Sequence, residues 1–371
     1  MGINKIKILF FGSGDFPVPT FDFIVNKLNE KYEIVGLVTS RDKVIYNKYR
    51  LYDIAQQNNI PIHIPKDLNC DETYNWCKEK NADVFCVISY KKLPSQLYKL
   101  AKGCAFNVHA SLLPLLKGAS PIYWALLYGF KETGLTSFIL NDNIDSGNII
   151  CNHITKIENN ETFGTLYQKL MNECIIITKN TLIKIGIKTE NQLLKEHQLF
   201  YQPSRFNEYK APKNLKTLNN ISFSLINYFD RLFRASMPND GLDASINVYS
   251  INNENIELKP LDLDKGPQKT YNIKIWDCEI IDFTKLDNNI PYNIEERRGT
   301  NIRTDGKTYL YILFPTDRKM VKVNTIQIKG KKKLNIEEFL RGFQYARNEN
   351  FGLKFETNLV IKENCCIFAL K

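Results

Sequence analysis

Two short motifs carry most of the chemistry legible in this 371-residue chain, Asn107-Val108-His109 and Asp145-Ser146-Gly147. The first closes an apolar run, Cys104 to His109, that reads as a buried strand. Strand alternation puts Asn107 and His109 on one face, and polar side chains in apolar surroundings are costly without partners. The second follows another apolar run, Leu135 to Leu140, in a turn able to aim its carboxylate back at the strand ends. An amide, an imidazole and a carboxylate that converge suit acyl-type transfer. The amide donates to a developing oxyanion, the imidazole donates to the same oxygen or shuttles a proton, and the carboxylate holds the ring. No Ser or Cys nucleophile is needed, because an incoming amine can attack directly. Taken alone, the Asn-x-His pair fits a strand-end asparagine beside a satisfied core histidine better than a catalytic pair.

The surrounding pattern supplies the elements that would position these groups. Strands are expected at Ile6–Phe11, Tyr32–Thr39, Ile60–Ile64, Ala82–Tyr90, Cys104–His109 and Leu135–Leu140. Helices are expected between them, at about Pro19–Leu28, Tyr49–Asn58, Asp71–Lys80, Pro94–Leu100 and Pro121–Tyr128, with a long amphipathic one over Thr162–Gly186. This alternation predicts an α/β, Rossmann-like, doubly wound and mostly parallel sheet, whose ligands gather at strand carboxyl ends. Residues 205–220 are polar, proline-containing and aperiodic, and read as a linker. After a helix at Ser222–Ser236 come short strands at 244–250, 255–259, 273–281, 308–314 and 321–328, then a helix at Glu337–Arg347. That run suggests a small barrel or sandwich. The expected domains are therefore 1–204, with the chemistry, and 221–371.

Composition narrows the classes. Apolar residues make up 43% and charged residues 24% of the chain, as in ordinary globular proteins, and no stretch approaches the roughly 18 apolar residues of a membrane span. The net charge of +10 permits a polyanionic partner. Nine cysteines without a CxxC spacing argue against a structural zinc site or a disulfide framework; no metal is expected. The N-terminus enters a strand directly, without a signal-peptide pattern. Gly12-Ser13-Gly14 follows the first strand, but the third glycine of a dinucleotide fingerprint would fall on Pro17.

The stretch Asn107-Val108-His109, Ser111-Leu112-Leu113-Pro114, Lys117-Gly118, Ser120-Pro121, Glu132-Thr133-Gly134 and Asp145-Ser146-Gly147 resembles the folate-dependent formyltransferases that use 10-formyltetrahydrofolate. The resemblance implies that Asn107 and His109 stabilise the tetrahedral intermediate formed when an amine attacks the formyl carbon, with His109 as proton carrier and Asp145 orienting it. It implies a folate site lined by Ser111, Leu112, Leu113 and Pro114, with Lys92, Leu93, Asn141 and Asp142 around the pterin.

The second half resembles the C-terminal domain of the methionyl-tRNA formyltransferases of that family, through Ser222–Ser236, the Tyr209–Lys213 segment, and Ile326–Lys333 with Glu337–Gly342. This implies an OB-like barrel with a basic surface and initiator methionyl-tRNA as partner, without a membrane; a monomer fits such an enzyme, in a bacterial cytoplasm or a mitochondrial matrix. Arg41, Lys43, Lys48 and Arg50 would form a reduced basic finger, and Lys210, Lys213, Lys216, Lys329 and Lys331–Lys333 would contact phosphates. The loop Ser40–Arg50 is shorter than the proline- and glycine-rich insertion usual there. A sugar-nucleotide N-formyltransferase acting on a dTDP- or UDP-4-amino-4-deoxy sugar therefore stays open, as do a non-catalytic folate- or RNA-binding relative and a deformylating hydrolase.

Overall fold

The computed structural model describes residues 5–40, 50–196, 198–199, 226–238, 240–250, 266–283, 301–314, 317–347 and 351–357. They form two compact units, each around one seven-stranded sheet.

The first unit contains β1 (Ile6–Gly12), α1 (Val18–Lys27), β2 (Tyr32–Val38), α2 (Arg50–Gln57), β3 (Ile62–His63), α3 (Asp71–Glu79), β4 (Val84–Ile88), α4 (Ser95–Tyr98), β5 (Cys104–His109), α5 (Pro121–Leu127), β6 (Glu132–Ile139), β7 (Ile149–Lys156), α6 (Phe163–Ile185) and α7 (Glu190–Lys195). The sheet order is β3-β2-β1-β4-β5-β6-β7. β1 and β4 are continuous apolar runs because both faces of the central strands are covered. Leu9 and Phe11 pack on one side with Phe85, Val87 and Leu97. On the other side Phe10 meets Phe21 of α1 edge-on, with ring centroids 5.0 Å apart. Fully burying one such side chain stabilises by about 1.5–3 kcal/mol. α3 opens with Asp71 and Glu72, which complement the positive end of its dipole.

The mostly parallel α/β sheet is present, with a correction at one end. β1 to β5 pair in parallel, but β5–β6 and β6–β7 are antiparallel. The strand β7 is absent from the sequence reading. Its alternation in Asn152-His153-Ile154-Thr155 leaves Ile154 on the surface, so it lacks the apolar run that marks the central strands. The antiparallel pairing places Ile139 opposite Phe106 rather than beside His109. The turn carrying Asp145 therefore does not start from a carboxyl end shared with β5.

The second unit contains α8 (Ile226–Ser236), β8 (Leu242–Ser250), β9 (Lys269–Asp282), β10 (Ile302–Thr304), β11 (Leu310–Phe314), β12 (Lys319–Ile328), β13 (Lys333–Asn335), α9 (Ile336–Gly342) and β14 (Phe351–Thr357). The order is β10-β11-β12-β9-β8-β14, with β13 on β12. The sheet curls into a nearly closed barrel. The amide of Asn301, just before β10, donates to Phe355 O and accepts from Phe355 N of β14, bridging the two edges. Phe229 of α8 fills the interior against Phe314 and Phe355. The final helix stops at Gly342 and continues as a short 3-10 turn, Gln344–Arg347. The expected strand at 255–259, the linker 205–220 and the start of the helix from Ser222 lie outside the described residues.

Candidate active site

β5 carries Asn107 and His109 into the first unit between β4 and β6. His109 is buried. Its Nε2 lies 2.9 Å from the carbonyl oxygen of Leu116, and its Nδ1 lies 3.5 Å from Asp145 Oδ2. A carbonyl can only accept, so Nε2 carries the hydrogen. The Asp145 carboxylate also accepts from the Gly118 backbone N–H at 2.8 Å. Asn107 is half-buried, and its amide has no hydrogen-bond partner among the described residues. The Asn107 amide, two residues before His109 on the same strand, is thus available to a ligand.

The meeting of His109 and Asp145 is made by the segment between Ala110 and Gly118. Thr136 stands opposite His109 in the β5–β6 register. Its hydroxyl donates to Ser111 O at 2.7 Å and accepts from Leu113 N at 3.0 Å. Leu113 then packs on Phe138 and Ile149, so the chain runs back along β6 towards the Asp145 turn. Ser111 Oγ donates to Leu115 O at 2.6 Å, tightening the turn that presents Leu116 O. The same segment thus supplies an acceptor for His109 and a donor for Asp145.

The Asp145 turn is fixed from its own side. Asn141 Oδ1 accepts from Asn143 N at 3.0 Å and from Ser146 Oγ at 3.2 Å. Asp145 takes φ +48°, a left-handed conformation that aspartate tolerates better than most residues. Gly147 is required by contact: a Cβ there would sit 1.6 Å from Ile139 O. Lys92 Nζ donates to Asp142 O, and Tyr98 Oη donates to Asp142 Oδ1 at 2.9 Å. The Tyr98 hydroxyl is pushed up to about 12, by burial and then by that carboxylate. Beside Lys92 lies a cavity of about 250 Å³ whose lining includes Ser40, Lys66, Asn69, Tyr90 and Lys91.

The sequence-derived residues therefore divide. His109 and Asp145 come together, and Lys92, Asn141 and Asp142 form one linked wall. Ser111 and Leu113 are buried, with Leu93 in the core, while Leu112 and Pro114 are half-buried. Arg50 opens α2. Arg41, Lys43, Lys48, Lys210, Lys213 and Lys216 lie outside the described residues. Two contributors, Leu116 O and Gly118 N, were missed as such because they act through the backbone. The only signal was the Lys117-Gly118 pair within the motif.

Residues 5–179 match the formyl transferase family. Over 365 residues the chain is 28% identical to a methionyl-tRNA formyltransferase of Azobacteroides pseudotrichonymphae genomovar. CFP2, covering 95% of this chain and 100% of that protein. It is 27% identical over 346 residues to a methionyl-tRNA formyltransferase of Clostridioides difficile, covering 91% and 97%. Among solved structures, a sugar 3N-formyl transferase determined with dTDP and 5-N-formyl-THF shares the fold, with a TM-score of 0.52 at 19% identity over 89% of this chain and 100% of that one. The His109–Asp145 site falls inside the matched segment, and the similarity to the two bacterial enzymes runs on through the barrel. This chain is an enzyme of the formyltransferase family.

Proposed function

We propose that the protein transfers the formyl group of 10-formyltetrahydrofolate to the free amino group of initiator methionyl-tRNA. The observation that carries this reading is the pairing of His109 with Asp145 beside the unengaged Asn107 amide, in a chain similar over nearly its whole length to methionyl-tRNA formyltransferases. The catalytic domain is assigned to residues 1–204 and the OB-like domain to 221–371.

The folate donor supplies an activated formyl group and leaves as tetrahydrofolate. The Asn107 amide donates a hydrogen bond to the oxyanion that develops on the formyl oxygen; one such donor is worth roughly 10²–10³ in rate. His109 carries the proton that moves from the attacking amine to the departing nitrogen. In its protonated form both ring nitrogens face acceptors already in place, Leu116 O and Asp145 Oδ2, so the imidazolium is accommodated without rearranging the protein. The wall of Lys92, Asn141 and Asp142 would hold the pterin. The neighbouring cavity, with Lys66, Lys91 and Lys92 in its lining, suits the carboxylates at the other end of the folate.

The test is one assay with labelled 10-formyltetrahydrofolate that offers charged initiator tRNA and 4-amino-4,6-dideoxy sugar nucleotides in parallel. Label on methionyl-tRNA, lost in His109→Ala, is the expected result. Label on the sugar alone makes the protein a sugar-nucleotide formyltransferase.

A further inference from the structure

Tyr98 plays no part in the formyl-transfer steps, yet its hydroxyl joins the two segments that form the wall assigned to the pterin. One segment links β4 to α4 and carries Lys92 and Leu93. The other is the β6–β7 turn, with Asn141 and Asp142. Tyr98, the last residue of α4, donates from Oη to Asp142 Oδ1 at 2.9 Å across 44 residues of sequence, and Lys92 Nζ donates to Asp142 O. The Tyr98 ring is itself seated, packing with Leu140 against the buried cluster that contains Leu93 and Leu97. Its hydroxyl, pushed up to about 12, stays a donor throughout the range of an assay.

The two sides of the turn are held differently. The Asp145 side is pinned twice. The Asp145 carboxylate accepts from Gly118 N, and three residues on, Asn148 Nδ2 donates to Glu190 Oε1 at 2.6 Å. Glu190 stands at the start of α7, which a capping box between Thr189 and Gln192 secures. The base is tied as well, by Ile139 N to Asn148 O and Leu140 N to Ala105 O, both at 2.9 Å. On the other side Asp142, Asn143 and Ile144 are exposed. Burial gives that side little hold, and the bonds from Tyr98 and Lys92 supply it.

We propose that Tyr98 is a positioning residue for the donor, clasping Asp142 so that the β6–β7 turn stands at a set distance from the β4–α4 segment and leaves a preformed slot for the pterin. This rests on the reading of 10-formyltetrahydrofolate as donor. A flat ring gripped between two segments binds more tightly when the ordering of the looser one is complete before it arrives. Asp145 has its own anchors in Gly118 and Glu190, so the clasp governs entry of the donor and leaves the group facing His109 in place. One hydrogen bond of this kind corresponds to a factor of about three to ten in affinity.

The experiment measures tetrahydrofolate binding to the full-length protein by isothermal titration calorimetry, and steady-state transfer from 10-formyltetrahydrofolate to methionyl-tRNA. Wild type is compared with Tyr98→Phe, Asp142→Ala and the Tyr98→Phe/Asp142→Ala double variant, and circular dichroism checks that each is folded. Tyr98→Phe keeps the packed ring and removes only the donor; Asp142→Ala reads the same bond from an exposed turn. Tyr98→Phe is expected to raise the tetrahydrofolate Kd and the KM for 10-formyltetrahydrofolate about three- to tenfold, with kcat and the KM for methionyl-tRNA within about twofold of wild type. The double variant should bind no more weakly than Asp142→Ala, because both substitutions remove one bond. A Kd for Tyr98→Phe within twofold of wild type, a fall in kcat at unchanged Kd, or fully additive losses overturn the clasp. A wild-type protein that binds no tetrahydrofolate overturns the donor assignment and the clasp with it. Tetrahydrofolate binding that weakens in Tyr98→Phe, in a protein that formylates only amino sugars, supports the clasp and overturns the acceptor assignment alone.

Discussion

The Nε2 of His109 donates to the carbonyl oxygen of Leu116 across 2.9 Å, and Leu116 holds φ +55° to present that oxygen. Leucine rarely adopts this conformation, because its Cβ crowds the following carbonyl. The hydrogen bond fixes the imidazole tautomer and leaves Nδ1 to face Asp145. A residue with no chemistry of its own thus decides which ring nitrogen meets the carboxylate.

Ser111→Ala removes the hydroxyl that braces this turn through Leu115 O. The bond is shielded from water, so the expected loss of stability is about 1–2 kcal/mol. The rate of formyl transfer should fall several-fold as Leu116 O becomes less well placed. Urea unfolding together with single-turnover kinetics checks both.

Asn107→Ala should separate catalysis from folding. The amide has no hydrogen-bond partner among the described residues, so stability should change by no more than about 0.5 kcal/mol. The rate should fall roughly 10²–10³-fold. A thermal melt matching wild type beside a collapsed kcat is the expected pair of results.

Gly147→Ala has no room for its methyl group, which would meet Ile139 O at 1.6 Å. The β6–β7 turn must shift, at a cost of more than about 3 kcal/mol, and Asp145 moves with it. Reduced yield of folded protein and loss of activity in the soluble fraction are expected.

Cys70, at the start of α3, is expected to alkylate first among the described cysteines. The Thr73 hydroxyl, and then the Thr73 backbone N–H, hold its thiol below the ordinary value. Burial pushes Cys77 and Cys104 up to about 12 and Cys174 to about 11, and raises Cys86 well above the ordinary value. The thiolate is the reactive form. Limited iodoacetamide at neutral pH should mark Cys70 by peptide mass spectrometry, and Thr73→Val should slow that reaction by withdrawing the hydrogen bond.

Asp305 gives a pH signature. Burial raises its carboxyl pKa, but hydrogen bonds from the Thr308 hydroxyl and from the Thr308, Lys307 and Tyr309 N–H groups outweigh that and hold it below the usual carboxylate range. A depressed folded-state value contributes stability above the unfolded value, near 3.9, and loses it as pH falls through the folded one. The deficit of Asp305→Asn relative to wild type should be larger at pH 7 than at pH 3, read from urea midpoints.

The central strands were legible because burial on both faces writes itself as uninterrupted apolar runs such as Ile8–Phe11 and Val84–Ile88. His109 and Asp145 were singled out by the resemblance of Asn107–His109 and Asp145–Gly147 to the formyltransferases, since the strand-end spacing alone favours a core histidine. What escaped has a common cause. β7, β10 and β14 are paired by register, and their residues carry no period strong enough to announce them. Leu116 O and Gly118 N act through the main chain, where residue type says little. Thr136 is by type an ordinary β-branched strand residue, and only its hydroxyl's bonds to Ser111 O and Leu113 N reveal that it pins the segment joining the two halves of the site.

The barrel is closed by a stave made late. Asn301 bridges to Phe355, and β14 pairs with β8 from Ala244 to Ser250. While residues 351–357 are still inside the ribosomal tunnel, β8 has one edge unsatisfied, and Phe229 lacks part of its packing. The second unit therefore reaches its native form only after synthesis of β14, whereas every strand of the first sheet has emerged long before. An arrest midway through translation would leave a formyl-transfer fold complete beside an unfinished, sticky barrel, which is where chaperones should be found.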